Sequence, residues 1–144
     1  IKELLPLASL VTPNLPEAEA ITRKKVEDKE SMLEAAKKIL AMGPKAVLVK
    51  GGHLNDTADD LLYDGVKEVW FTSERVDTKN THGTGCTLSS SLAANLAKGL
   101  TLEEAVKASK AYVTLAIQYG IPLGSGCGPT HHFVELWRKA GMLD

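Results

Sequence analysis

Apolar positions along the chain recur at two spacings, one typical of helices and one typical of buried strands. After Asp28 they follow the helical spacing of three and four residues, at Met32, Ala35, Ala36, Ile39 and Leu40. Ala46–Val49 is instead uninterrupted and apolar, which is typical of a strand buried on both faces of a parallel sheet. Because helices alternate with buried strands, the pattern predicts an α/β layered fold.

Turn and breaker residues place further elements in the first half of the chain. Ser9–Thr12 is predicted to be a short strand, and Pro16 is suited to the first turn of a helix. Asp64-Gly65 is a turn signal between two apolar runs, so a hairpin is predicted from Leu61–Tyr63 and Glu68–Thr72.

The last third of the chain is predicted to be helical. A glycine-punctuated turn leads into a helix over Thr87–Lys98, which Gly99 closes. Thr101 and Glu104 have the spacing of a capping box and predict the start of a long helix. Pro129 is predicted to open a final helix whose apolar side chains include Phe133, Leu136 and Trp137.

Composition and charge restrict the class of protein further. Among 144 residues, 44% are hydrophobic and 24% are charged, which is typical of one globular domain and excludes wholesale disorder. The 17 basic residues are balanced by 18 acidic ones, so the basic excess of a nucleic-acid-binding protein is missing. No apolar run approaches the roughly 18 residues of a membrane helix. Two cysteines cannot build a disulfide framework, and we expect a cytoplasmic protein.

The stretch Thr81–Thr87 carries the strongest chemical signal. Gly83 and Gly85 allow a tight turn, and the helix that follows presents unpaired amides suited to a phosphate or to developing phosphoryl charge. The helix dipole, which is positive at the start of the helix, should also favour the thiolate form of Cys86. The alternative is a glycine loop that contains a small buried cysteine, and the pattern alone leaves both interpretations open.

Polar residues also follow the two predicted strands of the first half. Asn14 and Glu17 can organise a hydrated Mg²⁺, although the residues alone favour an N-cap with a first-turn carboxylate. Lys50 follows the buried strand and can contact a nucleotide phosphate, or it can simply enter solvent.

Two other chemistries deserve comparison. The histidines at 53, 82, 131 and 132 show no metal-ligand spacing with the cysteines, so a structural metal site is not indicated. A Cys86–His82 pair for acyl transfer is conceivable, but these motifs supply no third group to orient the base.

Taken together, the motifs resemble the C-terminal part of the hydroxymethylpyrimidine/phosphomethylpyrimidine kinases, the thiamine-pathway members of the ribokinase-like superfamily. The resemblance runs through almost the whole chain in the family's order, at Val11–Ala18, Val49–His53, Lys79–Thr87 and Gly126–Phe133. It implies a ribokinase-like three-layer fold with a mainly parallel sheet, in which residues 1–144 are the nucleotide-binding part of one kinase domain. It also implies ATP-dependent phosphorylation of the pyrimidine's hydroxymethyl group and then of the monophosphate.

The resemblance assigns roles to particular residues. Asn14 and Glu17 match an Asn-x-x-Glu element that helps to hold Mg²⁺ and phosphate, with Glu17 nearest the metal. Lys50 matches a lysine that contacts nucleotide phosphates, and Thr81 and His82 are expected to bind the nucleotide as well.

The catalytic assignment falls on the glycine loop. Gly83, Thr84, Gly85 and Cys86 match the family's anion hole, and Cys86 stands where related sugar kinases have an aspartate base. The resemblance therefore implies that Cys86 takes the proton of the substrate hydroxyl.

The resemblance leaves the substrate and the state of the chain open. The family's N-terminal portion, which carries most of the pyrimidine pocket, is expected to be absent from these residues. A pyridoxal kinase of the same cysteine-bearing type would share every motif, and a non-catalytic nucleotide-binding fragment is a further alternative. Because the buried strand needs neighbours on both sides, we expect the chain to form a homo-oligomer, to fold loosely or to bind a further segment. Its expected partner is a small-molecule substrate, with no nucleic acid and no membrane.

Overall fold

Helices and short strands follow one another much as the apolar pattern predicts. The computed structural model describes residues 1, 3–52, 58–73 and 76–143. The described residues form a 3-10 helix (Leu5–Leu7), helices α1 (Leu15–Thr22), α2 (Lys29–Leu40), α3 (Thr84–Ala97), α4 (Leu102–Gln118) and α5 (Val134–Lys139), and strands β1 (Val47–Val49), β2 (Asp60–Tyr63) and β3 (Glu68–Phe71). The chain divides into two compact units, Ile1–Arg75 and Val76–Asp144.

Helix α2 forms the core of the first unit as its sequence predicts. The Asp28 side chain accepts a hydrogen bond from Ser31 N at 2.8 Å, and Ser31 completes the capping box. Helical spacing then turns one apolar stripe toward the sheet, where Met32, Ala36 and Ile39 have no exposed surface. The helix therefore supplies one side of the core that covers β1.

The sheet of the first unit is antiparallel, which differs from the expected mainly parallel sheet. The strand order is β1-β2-β3, with Leu48 opposite Leu62 and Leu62 opposite Val69. The predicted hairpin is confirmed, and Asp64 Oδ1 accepts hydrogen bonds from Val66 N and Lys67 N in its turn. A parallel pair needs a crossover of about a dozen residues or more, and these connections are too short for one.

Parallel pairing occurs at the other edge of β1, although only as isolated bridges. Val11 N donates to Ala46 O at 3.1 Å, and Leu48 N donates to Val11 O at 2.8 Å. Pro13 has no N–H for the next step of the ladder, so the strand predicted over Ser9–Thr12 is reduced to a single bridge at Val11. The connection between the two paired segments contains both α1 and α2, which gives it the length that a parallel crossover needs.

An ion pair between an exposed lysine and a buried carboxylate joins the start of α2 to the sheet. Lys29 Nζ lies 2.7 Å from Asp59 Oδ2, and the Asp59 side chain is only 3% exposed. The same ammonium lies 5.0 Å from the centre of the Trp70 ring, within the range of a cation–π contact. Because a buried carboxylate needs a partner, Lys29 holds the α2 N-terminus against the ends of β2 and β3.

The second unit is built on the pairing of α3 with α4. Helix α3 begins at Thr84, three residues before the predicted start, and Gly99 follows its end with φ of +88°. The predicted capping box of Thr101 and Glu104 opens α4. One face of α4 is buried, at Ala105, Val106, Ser109, Val113 and Ala116. No helix in the described part of the chain is long and apolar enough to cross a membrane.

The final helix begins later than predicted. Residues 129–131 make hydrogen bonds to other segments, since Thr130 N donates to His82 O and His131 N donates to Ala116 O. These long-range bonds hold the backbone out of the helical conformation, and α5 starts only at Val134. The expected apolar stripe of this helix is largely uncovered, with Phe133 59% and Leu136 63% exposed.

We predict that Ile39→Ala lowers the free energy of unfolding of the first unit by about 2–5 kcal/mol, because Ile39 is fully buried in its core. Urea denaturation followed by Trp70 fluorescence, in a Trp137→Phe background, measures this change. The control Val66→Ala alters a side chain that is 91% exposed and should shift the value by less than about 0.5 kcal/mol. Equal effects of the two substitutions would contradict the assigned core.

Candidate active site

In the first unit, the carboxyl end of β1 brings Asn14 beside Lys50. The two residues form a parallel bridge, and Lys50 N donates to Pro13 O at 2.8 Å. Both side chains are partly exposed. The edge of the sheet therefore places the backbones of an asparagine and a lysine side by side, and the positive charge of Lys50 suits contact with an anionic group.

Asn14 and Glu17 form the reciprocal cap that was one of their two interpretations. Glu17 N donates to Asn14 Oδ1 at 2.8 Å, and Asn14 N donates to Glu17 Oε2 at 2.7 Å. The cap uses one oxygen of the exposed Glu17 carboxylate and leaves Oε1 outside it. A hydrated Mg²⁺ that takes one protein carboxylate fits this arrangement, because Mg²⁺ keeps most of its waters.

Asp60 fixes the backbone that follows Lys50, although it belongs to none of the motifs described above. Gly51 N donates to Asp60 Oδ1 at 2.9 Å, and both residues are buried. The bond ties the exit of β1 to the first residue of β2. A pair of acidic residues directly before the apolar run Leu61-Leu62 was the available signal, since a buried carboxylate needs partners.

In the second unit, the glycine turn opens α3 with unpaired amides. Gly83 has φ of +86°, a conformation that favours glycine, and no side chain caps the helix. The amides of Gly85 and Cys86 have no hydrogen-bond acceptor within the residues that the structure describes. We call residues Gly83–Cys86 the amide cradle. Such a helix start is a ready site for a phosphate oxygen.

The hydroxyl groups around the amide cradle stabilise its backbone. Thr84 Oγ1 donates to Thr81 O at 2.7 Å, and Thr87 Oγ1 donates to Gly83 O at 2.8 Å. His82 is exposed, and its backbone pairs with the segment around Pro129. These bonds fix the turn while leaving the Gly85 and Cys86 amides open.

Cys86 occupies the first turn of α3 and is exposed, so it is not the buried loop cysteine of the alternative interpretation. It lines an open groove of about 770 Å³ between α3, α4 and the segment before α5, together with Tyr112 and His132. No hydrogen bond joins Cys86 to His82 in the described part of the chain, so a thiol–imidazole pair for acyl transfer is not formed.

The described histidines outside the amide cradle lie in different surroundings. His131 is buried, and its Nδ1 accepts a hydrogen bond from Phe133 N at 3.1 Å. His132 is exposed and precedes α5, and His53 lies outside the described residues. Across the residues that the structure describes, no group of three or more His, Cys, Asp or Glu side chains could hold a metal ion.

Comparison with known proteins identifies the family. The family model described as phosphomethylpyrimidine kinase matches residues 1–131. The chain belongs to the phosphomethylpyrimidine kinase family. It is 50% identical over 129 residues to the hydroxymethylpyrimidine/phosphomethylpyrimidine kinase of Streptomyces coelicolor, covering 90% of this chain and 48% of that protein. It is 49% identical over 135 residues to the thiamine biosynthesis bifunctional protein ThiED of Geobacter sulfurreducens, covering 92% of this chain and 27% of that protein.

Solved structures show the same relationship and the ribokinase-like fold. The ADP complex of Bacillus subtilis pyridoxal kinase matches with a TM-score of 0.88 and 42% identity, over 94% of this chain and 54% of that one. The phosphomethylpyrimidine kinase of Clostridium difficile matches with a TM-score of 0.67 and 43% identity, over 79% of this chain and 45% of that one. The chain spans about half the length of most family relatives it matches.

We predict that Asp60→Ala lowers the free energy of unfolding by about 1–3 kcal/mol, because it leaves the buried Gly51 amide without an acceptor. Asp60→Asn keeps a carbonyl oxygen at that place and should cost clearly less. Chemical denaturation of both variants followed by Trp70 fluorescence measures the difference. If the two variants lose stability equally, the bond to Gly51 is not what Asp60 contributes.

Proposed function

We propose that the protein containing this chain phosphorylates the hydroxymethyl group of 4-amino-5-hydroxymethyl-2-methylpyrimidine with ATP, and then phosphorylates the monophosphate. The observation that carries the proposal is the amide cradle, with open amides at Gly85 and Cys86 and an exposed thiol on the same turn. The curated relatives at 46–50% identity, which are named for this kinase, support it. Because the chain spans about half of those relatives, the activity belongs to the complete protein.

The cradle provides the charge stabilisation that phosphoryl transfer needs. The substrate hydroxyl oxygen forms a bond to the γ-phosphorus of ATP while the bond from that phosphorus to the β–γ bridging oxygen breaks, and ADP leaves. The amides of Gly85 and Cys86 donate to the phosphoryl oxygens as negative charge develops there. Cys86 Sγ takes the hydroxyl proton as general base, and Thr84 keeps the turn in place through Thr81 O.

The proposal assigns nucleotide contacts to Lys50, Thr81 and His82, and each is described within its own unit. In the first unit, Lys50 donates to nucleotide phosphates from the carboxyl end of β1, with Asn14 beside it. In the second unit, Thr81 and His82 contact the nucleotide from the segment that precedes the cradle.

The metal assignment rests on the free oxygen of one carboxylate. Glu17 Oε1 lies outside the reciprocal cap and is available to a water of hydrated Mg²⁺ or to the ion itself. When bound, Mg²⁺ would neutralise charge on the nucleotide phosphates.

The proposal extends to the setting of the enzyme. We expect the complete domain to have three layers and a mainly parallel sheet, in which the antiparallel hairpin of β2 and β3 is a local addition. We expect a cytoplasmic homo-oligomer that acts on a small molecule, with no nucleic-acid or membrane partner. The two free, exposed cysteines, Cys86 and Cys127, are compatible with a reducing compartment.

Pyridoxal phosphorylation is the second candidate function. The pyridoxal kinase structures of Bacillus subtilis and Staphylococcus aureus match with TM-scores of 0.88 and 0.87, above the 0.67 of the Clostridium difficile phosphomethylpyrimidine kinase. Parallel assays of the complete enzyme with hydroxymethylpyrimidine, its monophosphate and pyridoxal distinguish the two functions. The proposal predicts that the enzyme also phosphorylates the pyrimidine monophosphate. If pyridoxal is the preferred substrate, pyridoxal kinase activity replaces the proposed function. ATP binding without turnover of any of the three would identify a non-catalytic module.

We predict that Cys86→Ala in the complete enzyme lowers kcat by about 10²–10⁴-fold while ATP still binds, because the cradle amides remain. Cys86→Asp should restore part of the rate, since a carboxylate can also accept the hydroxyl proton. The matched control Cys127→Ala removes the other exposed thiol and should leave kcat unchanged. Full activity in Cys86→Ala would remove Cys86 from the mechanism.

We predict that Glu17→Gln weakens the Mg²⁺ dependence of turnover, because it removes the carboxylate charge while keeping an oxygen for the Asn14 amide. The measurement is kcat as a function of Mg²⁺ concentration at fixed ATP. Glu19→Gln is the control, since Glu19 lies in the same helix but accepts a hydrogen bond from Val26 N. A Mg²⁺ titration that superimposes on the wild-type curve would exclude Glu17 from the metal site.

A further inference from the structure

Asn80 connects the segment that leads into the amide cradle to the loop that follows α4. Its side-chain Nδ2 donates to Gly120 O at 3.1 Å, a contact between residues 40 positions apart. Its own backbone N donates to Thr78 Oγ1 at 3.2 Å, and the residue is partly buried. Both the backbone and the side chain of Asn80 are therefore fixed by hydrogen bonds, directly before Thr81.

Two glycines leave just enough space for this side chain. A Cβ atom at Gly120 would lie 2.6 Å from Asn80 Cβ. A Cβ atom at Gly128 would lie 2.3 Å from Asn80 Oδ1 and 2.2 Å from Ile121 O. Neither glycine has a positive φ, so both are needed for space and not for backbone conformation. The sequence therefore provides a close fit around Asn80 from two separate positions.

Backbone hydrogen bonds connect the surroundings of Asn80 to the segment that enters the cradle. His82 N donates to Gly128 O at 3.1 Å, and Thr130 N donates to His82 O at 3.3 Å. Ile121 N donates to Pro129 O at 3.0 Å, which joins the third segment. A Cβ atom at Gly83 would meet no described atom within 4 Å. The segment that precedes the cradle and the helix that follows it are therefore the two elements that place it.

We propose that Asn80 is a positioning residue for phosphoryl transfer, which locks the segments before Thr81, after α4 and around Gly128 into one arrangement and thereby sets where the cradle amides point. The inference rests on the proposed function for its kinetic effect, but its structural part stands independently. A displacement of about 1 Å at such a group is enough to cost about 10²-fold in rate. The KM for ATP should rise as well, because His82 and the cradle amides are assigned to the nucleotide, but kcat should change by the larger factor, because charge develops at the cradle in the transition state.

Hydrogen exchange and kinetics of four variants test this proposal. Asn80→Ala and Gly128→Ala should each speed amide exchange at His82 and Thr130 by about 10-fold or more. In the complete enzyme both should lower kcat by about 10²-fold with a smaller change in the KM for ATP. Gly126→Ala is the matched control, because a Cβ atom there meets nothing within 4 Å. It should leave exchange and kcat unchanged.

Asn80→Asp separates the hydrogen bond from simple packing. Its ionised carboxylate cannot donate to Gly120 O, so near neutral pH the variant should behave like Asn80→Ala. As the pH falls through about 4, where an aspartate carboxyl ordinarily gains its proton, protonation supplies a donor, and exchange at His82 and Thr130 should return toward the wild-type rate measured at the same pH. A purely steric role would give no such pH-dependent recovery.

The outcomes distinguish the inference from the proposed function. Unchanged exchange at His82 and Thr130 in Asn80→Ala, or an Asn80→Asp variant that matches wild type at every pH, would overturn the positioning role. A changed exchange with unchanged kcat would also overturn it. If the wild-type enzyme shows no kinase activity, the proposed function fails, and the exchange measurements still decide whether Asn80 holds this arrangement.

Discussion

Burial of β1 is the constraint on which the first unit depends. Val47, Leu48 and Val49 have no exposed surface, so their backbone groups must find hydrogen-bond partners within the protein. One edge of the strand pairs with β2, and the other pairs with the segment that ends at Asn14. Because the buried backbone of β1 needs hydrogen-bond partners on both edges, Asn14 and Lys50 lie at the same end of the sheet. Their polar side chains therefore belong to the same edge.

The second unit meets a different requirement, which is to leave backbone groups unsatisfied in a controlled way. The amides of Gly85 and Cys86 stay open because Gly83 supplies no cap and the nearby threonine hydroxyls bond to carbonyl groups. An open helix start is only useful if its direction is fixed. The pairing of His82 with the segment around Pro129, and the contact of Asn80 with Gly120, provide that rigidity.

Local signals in the sequence were enough to predict most elements and the residues of the amide cradle. The cap at Thr101 and the turn at Asp64-Gly65 involve residues close in sequence, and both are present. The start of α5 was predicted wrongly, because residues 129–131 bond to segments that no local pattern reveals. The roles of Asp60 and Asn80 were not predicted for the same reason, since their hydrogen-bond partners Gly51 and Gly120 are distant in the sequence.

We propose that the open amides at the start of α3 receive the γ-phosphate of the nucleotide. A titration of the ¹⁵N-labelled protein with the non-hydrolysable ATP analogue AMP-PCP in the presence of Mg²⁺, followed by amide chemical shifts, tests this most directly. We expect saturable shifts that are largest at Gly85 and Cys86, and they should persist in Cys86→Ala because the backbone donors remain. Saturable binding of AMP-PCP that leaves the Gly85 amide unmoved would show that these amides do not receive nucleotide phosphate.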